Sequence, residues 1–159
     1  MIEKGGYHTM SKQIPQELSQ EQMDFMNDKP LILLSTIDAE SNTPNTSAIS
    51  WVKAHTPTTI RFAVTNNSRT AANVKANPRV SLTMIALGTV YSIVGEAHIL
   101  EDKIEGIAMP LSKIEVRIEG VFESMFWGAA ITQNPAYEKT MNIDKAIALD
   151  NQVFAALLS

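Results

Sequence analysis

Apolar and polar positions alternate with a period of two over several stretches of the chain, the spacing of a strand that buries one face. In Ser47–Ala54, Ile49, Trp51 and Lys53 share one face while Ala48, Ser50 and Val52 share the other. Ile60, Phe62 and Val64 align in Thr59–Val64, and Val80, Leu82 and Met84 align in Arg79–Ile85. Lys113–Phe122 places Ile114, Val116 and Ile118 inward and Glu115, Arg117 and Glu119 outward. Leu31–Ile37 reads as a buried strand and Thr89–Leu100 as a longer one, with Gly95 a candidate bulge. The turn formers of Asp38–Pro44 predict a hairpin loop.

A different period marks the helices. Pro15 to Asp28 predicts one, with Leu18, Met23 and Met26 as anchors, and Ser68–Asn77 a short one stopped by Pro78. Ile104, Ile107, Ala108 and Leu111 have helical spacing in Asp102–Leu111. Residues 143–158 predict an amphipathic C-terminal helix with Ile143, Ile147, Phe154 and Leu157 on one stripe. Six strands joined by short connections favour a mainly β fold, an antiparallel barrel or sandwich with peripheral helices, over a doubly wound parallel sheet. The 159 residues fit one domain, 1–159, in which residues 1–12 are expected to be disordered.

Composition narrows the function by exclusion. Hydrophobic residues make up 45% of the chain, enough for a core, yet no apolar run is long enough to span a bilayer. The first residues lack the apolar segment of a signal peptide, which makes the cytoplasm the expected compartment. With no cysteine, disulfides and thiolate chemistry are excluded. A net charge of −4 argues against a broad nucleic-acid surface but leaves room for a small anionic ligand. His8, His55 and His98 are scattered, so no metal site is expected. Neither a phosphate-binding glycine loop nor a Gly-x-Ser-x-Gly elbow occurs.

Thr65-Asn66-Asn67-Ser68-Arg69-Thr70 carries the most chemical information. It opens a helix, whose free N–H groups attract anions, and Arg69 adds a charge-assisted donor for phosphate. The same residues also suit an ordinary turn with Ser68 as the cap. Lys53 shares a strand face with Ile49 and Trp51, and its charge either lies near the barrel wall or snorkels to water. Met125, Phe126 and Trp127 form an apolar cluster after the last strand, a core element or dimer contact more readily than a ligand wall.

Asn67-Ser68-Arg69-Thr70-Ala71-Ala72-Asn73-Val74-Lys75-Ala76-Asn77-Pro78-Arg79-Val80-Ser81-Leu82 resembles, without a gap, a block of the pyridoxamine 5′-phosphate oxidase-like FMN-binding split-barrel family. The same register runs back through Phe62 to Lys53, and Leu33–Asp38 resembles the family's first strand and acidic turn. The resemblance implies a six-stranded antiparallel split β-barrel, homodimeric, with FMN in the cleft between subunits. Ala48, Ile49, Ser50, Trp51, Val52 and Lys53 would then line the flavin, with Lys53 matching a family lysine. Ala63 and Val64 match the family's loop-edge positions, and Ser68 and Arg69, followed by Thr70, its phosphate-contacting pair.

Two departures bear on function. Ala48 stands where the oxidases have an arginine and Thr70 where they have a lysine, so two phosphate cations are missing. The C-terminal segment also lacks the Arg-x-His pattern that holds pyridoxal phosphate, which leaves vitamin B6 oxidation unsupported. The expectation is an FMN-dependent oxidoreductase with an unidentified small-molecule substrate. The alternative is a module that binds flavin without turnover.

Overall fold

A computed structural model of the chain describes residues 13–159. The expected disorder of residues 1–12 lies outside the described residues. Helix α1 (Gln20–Met26) begins later than the sequence pattern predicts, because Ser19 caps it. The Gln22 N–H donates to Ser19 Oγ at 3.2 Å and the Ser19 N–H donates to Gln22 Oε1 at 2.9 Å, a reciprocal capping box. Upstream, the chain is held along the barrel instead of coiling. The Leu18 N–H donates to Pro57 O at 2.7 Å, and Pro15 O accepts from the Val121 N–H at 2.8 Å.

Seven strands follow rather than six. They are β1 (Ile32–Ile37), β2 (Pro44–Ile49), β3 (Val52–Thr56), β4 (Thr59–Thr65), β5 (Arg79–Ala86), β6 (Thr89–Glu101) and β7 (Leu111–Glu123). Helix α2 (Arg69–Ala76) lies between β4 and β5, and α3 (Ile143–Leu158) ends the chain. All strand pairs are antiparallel, in the order β2-β1-β5-β6-β7-β4-β3. The extra strand arises because the predicted Ser47–Ala54 strand breaks at Ser50-Trp51. Its first half pairs with β1 and its second with β4. The chain therefore passes directly from one edge of the sheet to the other, which curls the sheet round on itself.

The inward faces follow the predicted alternation. Ile32, Phe62, Leu82, Met84, Ile93 and Val116 are fully buried in the main core, each stabilising the fold by about 1.5–3 kcal/mol. At Gly95 the register shifts, as a bulge requires. A Cβ there would lie 2.2 Å from the Arg117 carbonyl oxygen, so only glycine fits without rearrangement.

Two expectations fail. Residues 102–110 form turns, not a helix: Gly106 takes φ +82°, and Pro110 has no N–H to continue a helical ladder. Ile104 instead donates its N–H to Leu111 O at 2.8 Å, and Ile104, Ile107 and Leu111 enter a second core against α3. The stripe expected on α3 is also displaced. Asp150, Val153 and Leu157 are its buried residues, whereas Ile143 and Ile147 are exposed. No helix among the described residues is long and apolar enough to cross a membrane.

Candidate functional site

The break between β2 and β3 creates the site. Ser50 and Trp51 leave the ladder, and the Trp51 carbonyl accepts the Ala63 N–H at 3.0 Å. The Trp51 indole is fixed from the far side, its Nε1–H donating to Asp150 Oδ1 at 2.8 Å. Asp150 is buried, and its other oxygen meets Lys139 Nζ at 2.6 Å. Ion pairing offsets the desolvation of that carboxylate.

The end of β4 and the start of α2 form the opposite side. Ser68 caps α2, its Oγ accepting the Ala71 N–H at 3.1 Å while its own N–H donates to Thr65 O at 3.0 Å. The Arg69 and Thr70 N–H groups, in the first turn, have no intrahelical acceptor and carry the positive end of the helix dipole. Asn73 holds this helix in place. Its Oδ1 accepts the Ala39 N–H at 2.8 Å, and its Nδ2 donates to Thr36 Oγ1 at 3.0 Å and Asn45 Oδ1 at 3.1 Å.

Between these walls is a cleft of about 370 Å³. Eight of the eleven residues anticipated from sequence line it: Ala48, Ile49, Ser50 and Trp51 from the strand, Ala63 and Val64 from β4, and Ser68 and Thr70 from the helix start. Ser47 and Thr65 line it too and were not anticipated. Outward-facing serine and threonine on a strand carry no signal that separates a ligand wall from a solvated one.

Three anticipated residues lie elsewhere. Val52 is fully buried in the main core. Lys53 points to the helices, donating from Nζ to Asn27 O at 2.8 Å, with that ammonium 4.4 Å from the centroid of the Phe154 ring. Burial pushes its pKa below the usual lysine value. Arg69 is outside the lining, its side chain 75% exposed and Nε 3.6 Å from Asp38 Oδ1. Hydrogen bonds from the Ser41 N–H and hydroxyl hold the Asp38 carboxyl below its ordinary value, with Glu40 and Arg69 contributing less.

The cleft therefore offers hydroxyls, backbone N–H groups and apolar walls, and among the described residues no charged side chain lines it. Such a donor set can hydrogen-bond an anionic group at the helix start. Residues 18–136 match the family model described as pyridoxamine 5′-phosphate oxidase. The chain belongs to that family. No curated protein matches it.

Solved structures of this family's fold diverge widely in what they handle. A Lactobacillus delbrueckii protein named as a pyridoxamine 5′-phosphate oxidase superposes with a TM-score of 0.59 at 19% identity, over 68% of this chain and 95% of that one. An F420 reductase gives 0.57 at 17% identity, over 67% and 100%. HutZ, the heme storage protein of Vibrio cholerae, gives 0.52 at 17% identity, over 67% and 94%. At such identities the likeness concerns the fold alone. His98 is exposed on β6 opposite Glu115 in the β6–β7 register. Among the described residues no three His, Asp or Glu side chains gather as a metal site.

Phe126 and Trp127 are surface residues, 71% and 97% exposed, so the core reading of that cluster does not hold.

Proposed function

We propose that this member of the pyridoxamine 5′-phosphate oxidase family binds FMN in the cleft between Trp51 and the α2 start. We further propose that it acts as a cytoplasmic homodimeric oxidoreductase on a small molecule other than a vitamin B6 phosphate. The observation that carries the reading is the meeting, in one cleft, of the strand break at Ser50-Trp51 and the helix start at Ser68–Thr70.

Bound there, FMN would supply two-electron chemistry at its ring. The Ser68 and Thr70 hydroxyls and the first-turn N–H groups would bind the phosphate. Ser50, outside the ladder, would direct its N–H to the ring edge, and Ile49 and Val64 would exclude water from one face. Arg69 would leave Asp38 to add the one nearby charge-assisted bond. Exposed Phe122, Phe126 and Trp127 provide an apolar surface for the second copy.

A second reading, flavin binding without turnover, is favoured by one observation: among the described residues no titratable side chain lines the cleft. The decisive test is a visible absorption spectrum of the purified protein, with mass spectrometry of any released ligand and titration of FMN into colourless material. A flavin spectrum and an FMN mass are expected; a protein that neither contains nor takes up FMN overturns the reading. NAD(P)H oxidation with an added electron acceptor then separates enzyme from carrier.

A further inference from the structure

Trp51 has a second open face. Beyond it lies another cleft of about 360 Å³, which shares Ser50 and Trp51 with the first. Met109, Met141, Ala146 and Leu149 give it apolar walls. Residues 137–141 line it, fixed by the Lys139–Asp150 pair and by the Tyr137 hydroxyl donating to Lys29 O at 3.3 Å.

Its charge is informative. Glu138, Lys139 and Asp150 are the ionisable carboxylate and ammonium groups in the lining. Lys139 is committed to Asp150 at 2.6 Å, so Glu138 leaves a surplus of one negative charge. An anionic ligand would meet repulsion and find no free cation. Methionine thioethers beside an indole favour a polarisable ring, and the volume falls within the range of roughly 300–1,000 Å³ typical of small-molecule sites.

We propose that this second cleft is a ligand site in its own right, taking a neutral, largely apolar ring compound against Trp51. Asp150 acts as a positioning residue, holding the indole that separates the two ligands.

The test uses fluorescence. The chain has two tryptophans, and Trp127 is 97% exposed, so Trp127→Phe isolates Trp51 without disturbing the core. Menadione, a neutral naphthoquinone, should quench Trp51 saturably in flavin-free protein, and its dissociation constant should change by less than about threefold at saturating FMN. Naphthoquinone sulfonate should bind at least about tenfold more weakly. Ala146→Phe, filling the cleft, and Met141→Glu, at a position 76% exposed and harmless to folding, should each weaken menadione about tenfold and leave the FMN titration unchanged.

Unsaturable quenching, equal affinity for the sulfonate, displacement of menadione by FMN, or indifference to both variants would overturn the proposal. Menadione binding with this pattern in a protein that takes no FMN would keep the ring site and remove the flavin reading.

Discussion

Helix α2 is held to the barrel at its middle, by the buried amide of Asn73. Helix α3 is held at its last turn. There Arg61 Nη1 donates to Leu157 O at 3.2 Å and Ser159 O at 2.7 Å, and Lys113 Nζ donates to Ala156 O at 2.9 Å. Cations at a helix C-terminus complement its dipole. The first turn of α2, away from the Asn73 anchor, opens on the cleft between Trp51 and Ser68, whereas the cleft-lining half of α3 is fastened as well, through Asp150 to Trp51 and Lys139. The contrast shows that α2 is anchored away from its first turn, whose N–H groups stay free, whereas α3 is anchored both at its last turn and at the carboxylate that borders its cleft.

Arg61→Ala breaks this arrangement most severely. The side chain is 12% exposed and also bonds Glu115 at 2.9 Å. A loss of about 2–3 kcal/mol is expected in chemical denaturation, with FMN affinity unchanged in the protein that remains folded. Asn73→Ala should cost about 1–3 kcal/mol by leaving the Ala39 N–H and Thr36 hydroxyl short of partners. Unlike Arg61→Ala, it should also weaken FMN binding, because the first turn of α2 loses its registration; titration calorimetry beside denaturation separates the two effects.

Smaller changes sharpen the comparison at the α2 end. Thr70→Lys and Ala48→Arg each add a cation beside the helix start, and either should tighten FMN about tenfold if the phosphate lies there. Arg69→Ala should weaken it by a similar factor with little effect on melting temperature, since the side chain is exposed. The smallest effect concerns acid stability. Asp38 has a folded pKa below its ordinary 3.8, so its contribution is present above that value and is lost as pH falls through the lower folded one. Asp38→Asn should therefore flatten the acid side of a melting-temperature profile measured from roughly pH 5 to pH 2.

How far the sequence carries such comparisons depends on the range of the interactions. Alternation in β5 and β7 was readable because each strand buries one face against a continuous core. The ungapped block around Ser68 likewise located the helix cap correctly. Alternation continues straight through Ser50 and Trp51, so the break there was invisible; it is imposed by pairing with two different strands. Ile104, Ile107 and Leu111 mimicked a helix because turns closed by Gly106 bring them to the same apolar patch. Asp150 was missed for a third reason. A carboxylate in an amphipathic helix reads as solvated, and its partner Trp51 lies 99 positions away. Lys53 is placed at the flavin by the family resemblance, but the Asn27 carbonyl claims its ammonium.

The first cleft is drawn entirely from residues 47–70, one unbroken stretch of chain, whereas the pairings that close the barrel reach as far as Thr59 with Arg117. That same stretch carries Val52, Ile60 and Phe62, fully buried in the main core, so cleft and barrel are written into one text at interleaved positions. Substitutions confined to its cleft-lining positions can alter that surface while the buried positions beside them continue to specify the barrel, which offers a physical route by which one scaffold diversifies without first becoming unstable.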